Sequence, residues 1–392
     1  MKIALVSPVP VFPTSGGNRA RQHTLYNALK EAGHDIHFFF LPSRQMGDYD
    51  ASAHEAFFGP DRYTALSRGG VSNALYYLNR ALGKVSRKLF PKGPIDQPYE
   101  LSSVDEAFYK PFLNQLQNYA QKSNFDCVIV TYVLFSKAIE AFGSSVHKII
   151  DTHDSIRHYI DEKEEVRGLL RADTIVAIQA QEAELFAQML PETGAPDIHI
   201  LSHITEIKPI MGLDQCAGAT FLGSSFEANR QSIRYFIDDV LPLILKEVPE
   251  FKLFVGGSIC RDIEDAQSIT KLGFVDDIRD AFAQAPLSLN PIVQGTGVKI
   301  KLIDSLGMAL PIVSTEFGVM GLPRDCLQGV SIVKDGDPHA FATAVIALYR
   351  DAHLRREKSA KSLEGAVRWN EQQKECLVQI LSAHPKRGKI HV

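Results

Sequence analysis

The sequence lacks both paired cysteines and long apolar runs. Its five cysteines are odd in number and scattered, with no CxxC pair and no Cys/His spacing typical of zinc, so neither a disulfide framework nor a zinc site is predicted. Nowhere do about 18 apolar residues follow one another. The first apolar run, Ile3 to Val6, is too short for a signal peptide core, because Pro8, Pro10 and Pro13 soon follow it. We therefore expect a cytoplasmic chain with no transmembrane helix.

A strong excess of one charge is also missing. The 42 basic and 46 acidic side chains give a formal net charge of −4, which supplies no global attraction to nucleic acid, and no nucleic-acid partner is expected. The 45% of hydrophobic residues and 22% of charged residues are typical of a globular chain. A length of 392 residues exceeds one ordinary core and predicts two domains.

Short apolar runs alternate with helical patterns in two stretches, which is typical of parallel strands joined by crossover helices. The sequence predicts an α/β fold with two doubly wound parallel sheets: a first domain at 1–207 with an insert at about 41–125, and a second at 218–370. The segment 208–217 has little periodicity and is the predicted linker. Residues 371–392 are predicted to form a helix and a basic tail, with the option of packing back on the first domain.

The strands of the first domain are joined by amphipathic helices. Leu25, Ala28, Leu29 and Ala32 have helical spacing between the first two strands, and Gly33 follows as a C-terminal cap. Ligands of open parallel sheets bind beyond the carboxyl ends of the strands, so the cleft between the two domains is the expected site. Strands are predicted at 3–6, 36–40, 127–130, 147–150, 174–178 and 198–201, and in the second domain at 220–222, 251–255, 287–289, 312–314 and 330–333.

A glycine-containing loop that runs into a helix is the strongest candidate site. Gly295 and Gly297 let the backbone approach an anion, and the amide groups and dipole at the helix start favour negative charge. Lys301 and Asp304 follow at i and i+3, so a cation for phosphate and a carboxylate for sugar hydroxyls share one helical face. This spacing suits a nucleoside diphosphate; the alternative is a surface ion pair beside a turn. Lys299 points elsewhere once the helix has begun and ranks below Lys301.

The run from Gly295 to Leu322 resembles the donor-binding segment of glycosyltransferase family 4-like enzymes of group 1 type, which have the GT-B fold. The resemblance covers nearly the whole chain except about 41–125. Segments that agree with the family in their order are Phe221–Ser224 with Asn229, Pro242–Ile244, Gly273–Asp277, Gly16–Arg19 and Gly33–His34.

The resemblance implies a retaining glycosyltransferase. Its second domain would bind a nucleotide sugar of UDP or GDP type, and its first domain would present a hydroxyl acceptor such as a glycan, a lipid-linked glycan or a protein. Asp304 stands where the family usually has the second Glu of a pair, which binds ribose, whereas Thr296 replaces the first Glu. Thr296 and the amides of Gly297 and Val298 remain candidates for contacting the sugar or the diphosphate. Since Lys301 can neutralise the departing diphosphate, no metal or other cofactor is expected.

Two other functions stay open on this sequence. The loss of the first Glu, at Thr296, fits a catalytically silent sugar-binding or partner-stabilising subunit. A nucleotide-sugar epimerase or phosphorylase on the same scaffold is the other alternative. The presence of Lys301, Asp304 and His153 together favours the transferase, because a silent subunit has no need of all three.

A second group of polar residues directly follows the strand at 147–150. A neutral imidazole at His153 is able to hydrogen-bond a sugar hydroxyl or to help the acceptor lose its proton, and Asp151 or Asp154 is placed to orient the ring. His153 resembles the family's histidine at this strand end. The structural alternative is that Asp154 caps a helix that starts near Ser155 and His153 satisfies a buried carbonyl. The predicted catalytic residues are therefore His153, Asp154 and Lys301.

Glycine-containing loops follow the first strand of each domain. Gly16, Gly17 and Asn18 permit close backbone approach to a diphosphate or an acceptor, although they do not form a GxGxxG motif. The alternative is a turn that only reverses the chain. Gly223 and Ser224, with Asn229 and Arg230 beyond them, occupy the matching position in the second domain, and their backbone and side chains are predicted to contact phosphate.

Two further residues complete the predicted donor site. Arg230 is the additional cation that we predict near phosphate, although a lone arginine in a loop is usually solvated. Val275 is expected to frame the edge of the base if the family parallel holds, and an apolar residue after Gly273 is equally consistent with a short strand.

Residues 68–92 combine an apolar helical face with a cluster of lysines and arginines. Such a stretch is a candidate for peripheral contact with the anionic inner face of a membrane that carries a lipid-linked acceptor. The alternative is that it packs inside its own protein.

Overall fold

The protein is described by a computed structural model, and its chain divides into two compact units. Residues Met1–Ser202 and Glu375–Val392 form unit 1, and His203–Lys374 form unit 2. The structure describes residues 1–13, 16–43, 49–69, 101–157, 159–275, 277–283, 285–295, 299–383 and 390–391.

Unit 1 is built on an eight-stranded sheet in which every paired strand is parallel to its neighbour. Its strands are β1 Lys2–Ser7, β2 Asp35–Phe40, β3 Tyr63–Ala65, β4 Cys127–Thr131, β5 His147–Asp151, β6 Thr174–Ala177, β7 Asp197–Ile200 and β14 Ile390–His391. Its α-helices are α1 Gly17–Glu31, α2 Ala51–Phe58, α3 Lys110–Lys122, α4 Glu162–Leu169 and α5 Ala180–Met189, with 3₁₀ helices at Pro60–Arg62 and Val133–Ala141.

The strand order in unit 1 is β14-β7-β6-β5-β4-β1-β2-β3, so the order reverses between β1 and β4. The central strands are apolar runs that are buried along their whole length, as parallel strands covered by helices on both faces must be. Helix α1 packs Leu25 and Leu29 on this sheet. It ends before Gly33, whose φ of 81° lets the His34 amide donate back to the Leu29 carbonyl, as the sequence predicts.

Unit 2 contains a six-stranded parallel sheet in the order β10-β9-β8-β11-β12-β13. Its strands are β8 Gly218–Leu222, β9 Lys252–Gly256, β10 Ile269–Gly273, β11 Ser288–Asn290, β12 Ile312–Thr315 and β13 Val330–Val333. Its helices are α6 Glu227–Tyr235, a π turn at Phe236–Val240, α7 Leu241–Glu247, α8 Ile278–Ala281, α9 Ile300–Gly307, α10 Pro338–Arg350 and the long α11 Ala352–Ser382, with 3₁₀ helices at Ser258–Asp262, Phe317–Val319 and Arg324–Cys326.

The α/β class with two parallel sheets is confirmed. Every strand predicted from an apolar run is present, with ends that differ by at most two residues. Three strands were not predicted: β3, β10 and β14, which lie at sheet edges. β10 is only partly buried and β3 is three residues long, so neither carries the apolar run on which the prediction depended.

Residues 203–207, which the sequence placed in the first domain, pack within unit 2. The Trp369 indole donates to the His203 carbonyl at 2.7 Å, and the Asn370 side chain bonds both backbone groups of Thr205, at 3.0 and 2.7 Å. Trp369 is buried and packs in the core of unit 2. The last residues of α11 and strand β14 belong to unit 1, where β14 pairs with β7.

The described residues include no helix that is long and apolar enough to cross a membrane. Most of the stretch 68–92, from residue 70 onward, lies outside the described residues, so the proposed membrane contact stays a prediction. Arg68 itself is 3% exposed, and its guanidinium donates to the Pro42 carbonyl and lies over the Tyr109 ring at 4.1 Å. This residue therefore packs inside the protein.

Candidate functional site

Both sheets have a point where the strand order reverses, between β1 and β4 in unit 1 and between β8 and β11 in unit 2. At such a point the following crossover helices lie on opposite faces, which leaves a crevice beyond the carboxyl ends of the strands. The candidate residues that follow these strands are described below for each unit by itself.

Lys301 spans the reversal point of unit 2. The residue lies in the first turn of α9, after β11, and its ammonium donates at 2.9 Å to the Asn229 side-chain oxygen on α6, after β8. The ammonium also lies 5.6 Å from the centre of the Phe221 ring. Burial lowers the pKa of Lys301 to about 8, yet the residue remains exposed. Protein atoms surround the ammonium closely enough to lower its pKa, and an incoming anion can still reach it.

Asn229 is held in place by the loop after β8. Its amide nitrogen donates to the Ser224 carbonyl at 2.9 Å and to the Ser224 hydroxyl at 3.2 Å, which leaves its oxygen for Lys301. A Cβ on Gly223 would come within 2.8 Å of the Phe221 ring, so this position needs glycine for packing. Ser224 thus acts on the site through Asn229, a residue that the sequence marked as a family landmark and as a candidate contact for phosphate.

Asp304 lies one helical turn after Lys301 and is held by two residues from the segment before β8. His203 Nε2 lies 2.8 Å from Asp304 Oδ1, and the Thr205 hydroxyl donates to the same oxygen at 3.0 Å. Asp304 does not form the simple surface ion pair with Lys301 that was the alternative. Its carboxylate is available on one side, since 23% of the side chain is exposed.

Two other predicted residues of unit 2, Lys299 and Val275, have partners of their own. The Lys299 ammonium lies over the Phe317 ring at 4.8 Å, and burial lowers its pKa. Val275 packs beside Gly256 in the apolar core that includes α9. Thr296, Gly297 and Val298 lie outside the described residues, so their predicted contacts with the sugar and the diphosphate stay predictions.

Arg230 is occupied by groups around the start of α6. Its guanidinium donates to Glu227 at 3.0 Å and to the Ser225 carbonyl at 2.7 Å, and it lies 3.8 Å from Asp262. Because two carboxylates already neutralise this cation, a phosphate would have to compete with them. Lys301 is the better-placed cation for a diphosphate.

In unit 1, His153 belongs to a buried chain of polar side chains beyond β5. Arg21 donates to Asp151 Oδ1 at 2.6 Å, and His153 Nε2 lies 3.0 Å from Asp151 Oδ2. All three residues are at most 3% exposed. Burial alone raises the pKa of Asp151, but Arg21 and His153 outweigh it and hold that pKa well below its usual range. Asp151 therefore fixes the ring of His153, as one of the two sequence alternatives proposed.

Gln22 connects this chain to β4 across the reversal point of unit 1. Its amide nitrogen donates to the Thr131 hydroxyl at 2.9 Å and lies 3.1 Å from His153 Nε2, while the Tyr132 ring contacts His153 at 4.8 Å between centres. His153 has a φ of 61°, a left-handed conformation that is uncommon outside glycine. The ring is thus held from three sides.

Asp154 and Glu182 extend the polar group. Asp154 is exposed, and the partial desolvation of its carboxyl group raises its pKa against the lowering effects of His153 and Arg21. Glu182, in the first turn of α5, is 8% exposed, and burial and the nearby Asp154 raise its pKa to about 8. Glu184, on the same helix, is exposed.

The described residues of the loop before α1 form hydrogen bonds with the first turn of that helix. Gly16 is the residue before the helix, and its carbonyl accepts from the Arg19 and Ala20 amides, while Gly17 begins α1. The Asn18 side chain hydrogen-bonds Tyr132, the residue that contacts the His153 ring. Asn18 is therefore linked to the histidine through one aromatic side chain.

No group of three or more His, Cys, Asp or Glu side chains suited to a metal ion occurs within the described ranges. The expectation that the reaction needs no metal stays a prediction.

Comparison with known proteins agrees with the fold. Residues 218–351 match the family model described as Glycosyl transferases group 1. A relative from Klebsiella pneumoniae, described as an uncharacterized 44.6 kDa protein in cps region, is 28% identical over 365 residues, which are 88% of this chain and 90% of the relative.

Solved structures that are similar over nearly the whole chain include the following two. Sucrose-phosphate synthase from Thermosynechococcus elongatus has a TM-score of 0.61 at 15% identity and covers 97% of this chain and 98% of its own. The pneumococcal O-GlcNAc transferase GtfA, solved with UDP and GlcNAc, has a TM-score of 0.60 at 12% identity. The match covers 98% of this chain and 99% of GtfA. The family resemblance is confirmed: residues 218–351 carry the domain of the group 1 glycosyl transferases, and the two parallel sheets give the chain the α/β GT-B fold.

Proposed function

We propose that this chain is a retaining glycosyltransferase that moves a sugar from a nucleoside-diphosphate sugar to a hydroxyl acceptor in glycan or glycoconjugate biosynthesis. The observation that carries the proposal is the hydrogen bond from Lys301 to Asn229 at 2.9 Å across the reversal point of the second sheet. An exposed ammonium without a carboxylate partner among the described residues is a suitable place for a diphosphate.

Three features of unit 2 support binding of the donor there. The first amides of α9 and its dipole favour an anion, and Lys301 adds a full charge in the same turn. Asp304 follows one turn later and can accept two vicinal hydroxyls of a ribose. In this arrangement the diphosphate contacts Lys301 and the nucleoside contacts Asp304.

The main requirement for catalysis of this reaction is stabilisation of the departing diphosphate. The bond from the anomeric carbon to the β-phosphate oxygen breaks, the acceptor oxygen bonds to the same face of the sugar, and the acceptor's proton passes to the departing phosphate oxygen. Negative charge grows on that oxygen in the transition state, so the Lys301 ammonium lowers the barrier without a metal.

His153 is the proposed contact for the transferred sugar or the acceptor hydroxyl. Asp151 occupies its Nε2, so the other ring nitrogen, Nδ1, is the one that we assign to the ligand. Asp154 is the accessible carboxylate beside it and the second candidate for this contact.

The first test is binding of free nucleoside diphosphates, measured as a shift in the unfolding temperature. UDP is the first probe, because GtfA, which shares the fold, was solved with UDP and GlcNAc; GDP follows. A diphosphate at one hundred times its dissociation constant stabilises the folded chain by about 2.7 kcal/mol. Lys301→Ala should abolish most of this shift, whereas Lys246→Ala, in the last turn of α7 before the amino end of β9, should keep it. An equal shift in both variants would remove Lys301 from the site.

Turnover separates the transferase from its alternatives. Slow hydrolysis of the bound nucleotide sugar without acceptor favours a transferase, and formation of a sugar isomer favours an epimerase. Diphosphate binding with neither reaction, and no transfer to any acceptor offered, would favour the silent subunit.

A further inference from the structure

The segment 203–210, here called the strap, lies directly against helix α9. The Lys208 amide donates to the Gly307 carbonyl at 3.0 Å, and the Ile210 amide donates to the Met308 carbonyl at 2.9 Å. A Cβ on Gly307 would come within 2.5 Å of the Glu206 carbonyl oxygen, so a larger residue there would push the strap away. The strap is thus fixed to the helix that carries Asp304.

Two strap side chains donate to one and the same oxygen of Asp304. His203 Nε2 lies 2.8 Å and the Thr205 hydroxyl 3.0 Å from Oδ1. His203 is fully buried, and its Nδ1 has no hydrogen-bond partner among the described residues. The tautomer with its proton on Nε2 fits this arrangement, because a proton on Nδ1 would be buried without an acceptor.

The backbone of the strap is anchored independently of Asp304. Asn370 bonds both backbone groups of Thr205, and the Trp369 indole donates to the His203 carbonyl. The directions of the two donating side chains are therefore set by α11, not by the carboxylate that they hold. A carboxylate held in this way has lost its rotational freedom before a ligand arrives.

The second oxygen of Asp304 is left for a ligand, since no described residue donates to Oδ2 and 23% of the side chain is exposed. We propose that His203 and Thr205 are positioning residues: by holding Oδ1 they aim Oδ2 at the ribose hydroxyls of the donor nucleotide. This inference rests on the proposed function, in which Asp304 binds the ribose. Holding the carboxylate in advance strengthens the contact, because less side-chain entropy is lost on binding.

The test measures preference for the ribose hydroxyls, which a merely structural role would not change. The full-length protein is titrated calorimetrically with UDP and with 2′,3′-dideoxy-UDP, and with the corresponding GDP pair, and the ratio of the two dissociation constants is compared among variants. The wild-type protein should prefer the ribose form by about tenfold. Thr205→Val, which removes the hydroxyl but keeps the shape, should lower this ratio at least about threefold, and Thr205→Ser should retain it. His203→Ala should bring the ratio close to one, and His203→Gln, which restores a donor, should recover part of it.

The outcomes separate this inference from the proposed function. A ribose preference that is unchanged in Thr205→Val and His203→Ala overturns the inference while leaving the donor site intact. If His203→Ala does not fold, the comparison of Thr205→Val with Thr205→Ser decides. Diphosphate binding without any ribose preference in the wild-type protein also overturns it. Binding of neither diphosphate by the wild-type protein removes the proposed function, and the inference falls with it.

Discussion

Arg21 and Asp151 form an ion pair of 2.6 Å in which each side chain is only 2% exposed. The pair joins helix α1 to the carboxyl end of β5, 130 residues later in the chain. The other Asp151 oxygen holds His153, so one buried carboxylate connects the stability of unit 1 to the orientation of its candidate catalytic ring. Arg21 also donates to the Leu201 carbonyl at 2.9 Å.

Asp151→Ala should destabilise the protein by about 3–5 kcal/mol, because it leaves the Arg21 cation buried and unpaired. The measurement is chemical denaturation followed by circular dichroism. Glu162→Ala removes one partner of the exposed pair with Arg157, at 3.4 Å, and is the control, with an expected loss of about 0–1 kcal/mol. Replacing both members of the buried pair, as Arg21→Met with Asp151→Leu, should recover part of the loss. An equal loss of unfolding free energy in Asp151→Ala and Glu162→Ala would mean that the buried pair matters no more for stability than the exposed pair.

His153→Asn should lower turnover at least about 100-fold while donor affinity is largely kept. Asparagine is chosen because it tolerates the left-handed backbone that His153 adopts, at a φ of 61°, so the loss of the ring is separated from backbone strain. His153→Ala should show the same kinetic defect with an additional loss of stability. Initial rates and diphosphate titrations provide the two readouts, and the exposed His353→Ala is the control. A fully active His153→Asn protein would return this residue to a structural role.

Diphosphate binding should weaken as the pH rises through about 8, because Lys301 loses its proton there and not near the ordinary value of 10.5. The charged form binds the anion, so affinity is complete below this pKa and is lost above it. Lys301→Arg keeps its charge over this range and should remove most of the dependence. Lys301→Ala should bind about 10- to 100-fold more weakly than the wild-type protein at pH 7, with little dependence on pH.

Dissociation constants for UDP above about pH 7.5, where the phosphates are already ionised, provide the measurement. A pH dependence of equal steepness in the wild-type protein and in Lys301→Arg would assign the effect to another group.

Glu182→Gln should stabilise the protein at alkaline pH and not at acidic pH. Burial raises the pKa of Glu182 from 4.5 to about 8, so the folded chain keeps a proton that the unfolded chain has already released. The stability associated with this proton is complete below about pH 4.5 and falls as the pH rises toward 8.

We expect Glu182→Gln to remove this decline and to gain on the order of 2 kcal/mol at pH 8 relative to the wild-type protein. Urea unfolding at pH 5 and pH 8 is the measurement, with the exposed Glu184→Gln as the matched control on the same helix. A gain of equal size at both pH values would contradict the assignment.

Three important residues have a common sequence signal in their helices. Arg21, Glu182 and Asn229 each precede a buried apolar residue of the same crossover helix by four positions, namely Leu25, Phe186 and Ile233. Each therefore continues the apolar face toward the amino-terminal end of its helix, Glu182 and Asn229 in the first turn and Arg21 at the start of the second, near the carboxyl ends of the strands. A polar residue at that position is directed toward the crevice and not toward solvent.

The sequence by itself determined the strands that are apolar runs, the helix between the first two strands, the α/β class, the family resemblance and the placement of Lys301 and Asp304 one turn apart on one helix. These features depend on local periodicity, since burial of an apolar run or an apolar helical face requires a pattern that is visible within one segment. The tertiary structure alone decided the partners: Asn229 for Lys301, His203 for Asp304 and Arg21 for Asp151. Those pairs are 72, 101 and 130 residues apart. The order of the parallel strands brings the first and the third pair within hydrogen-bonding distance, and the anchoring of the strap on α11 brings His203 to Asp304.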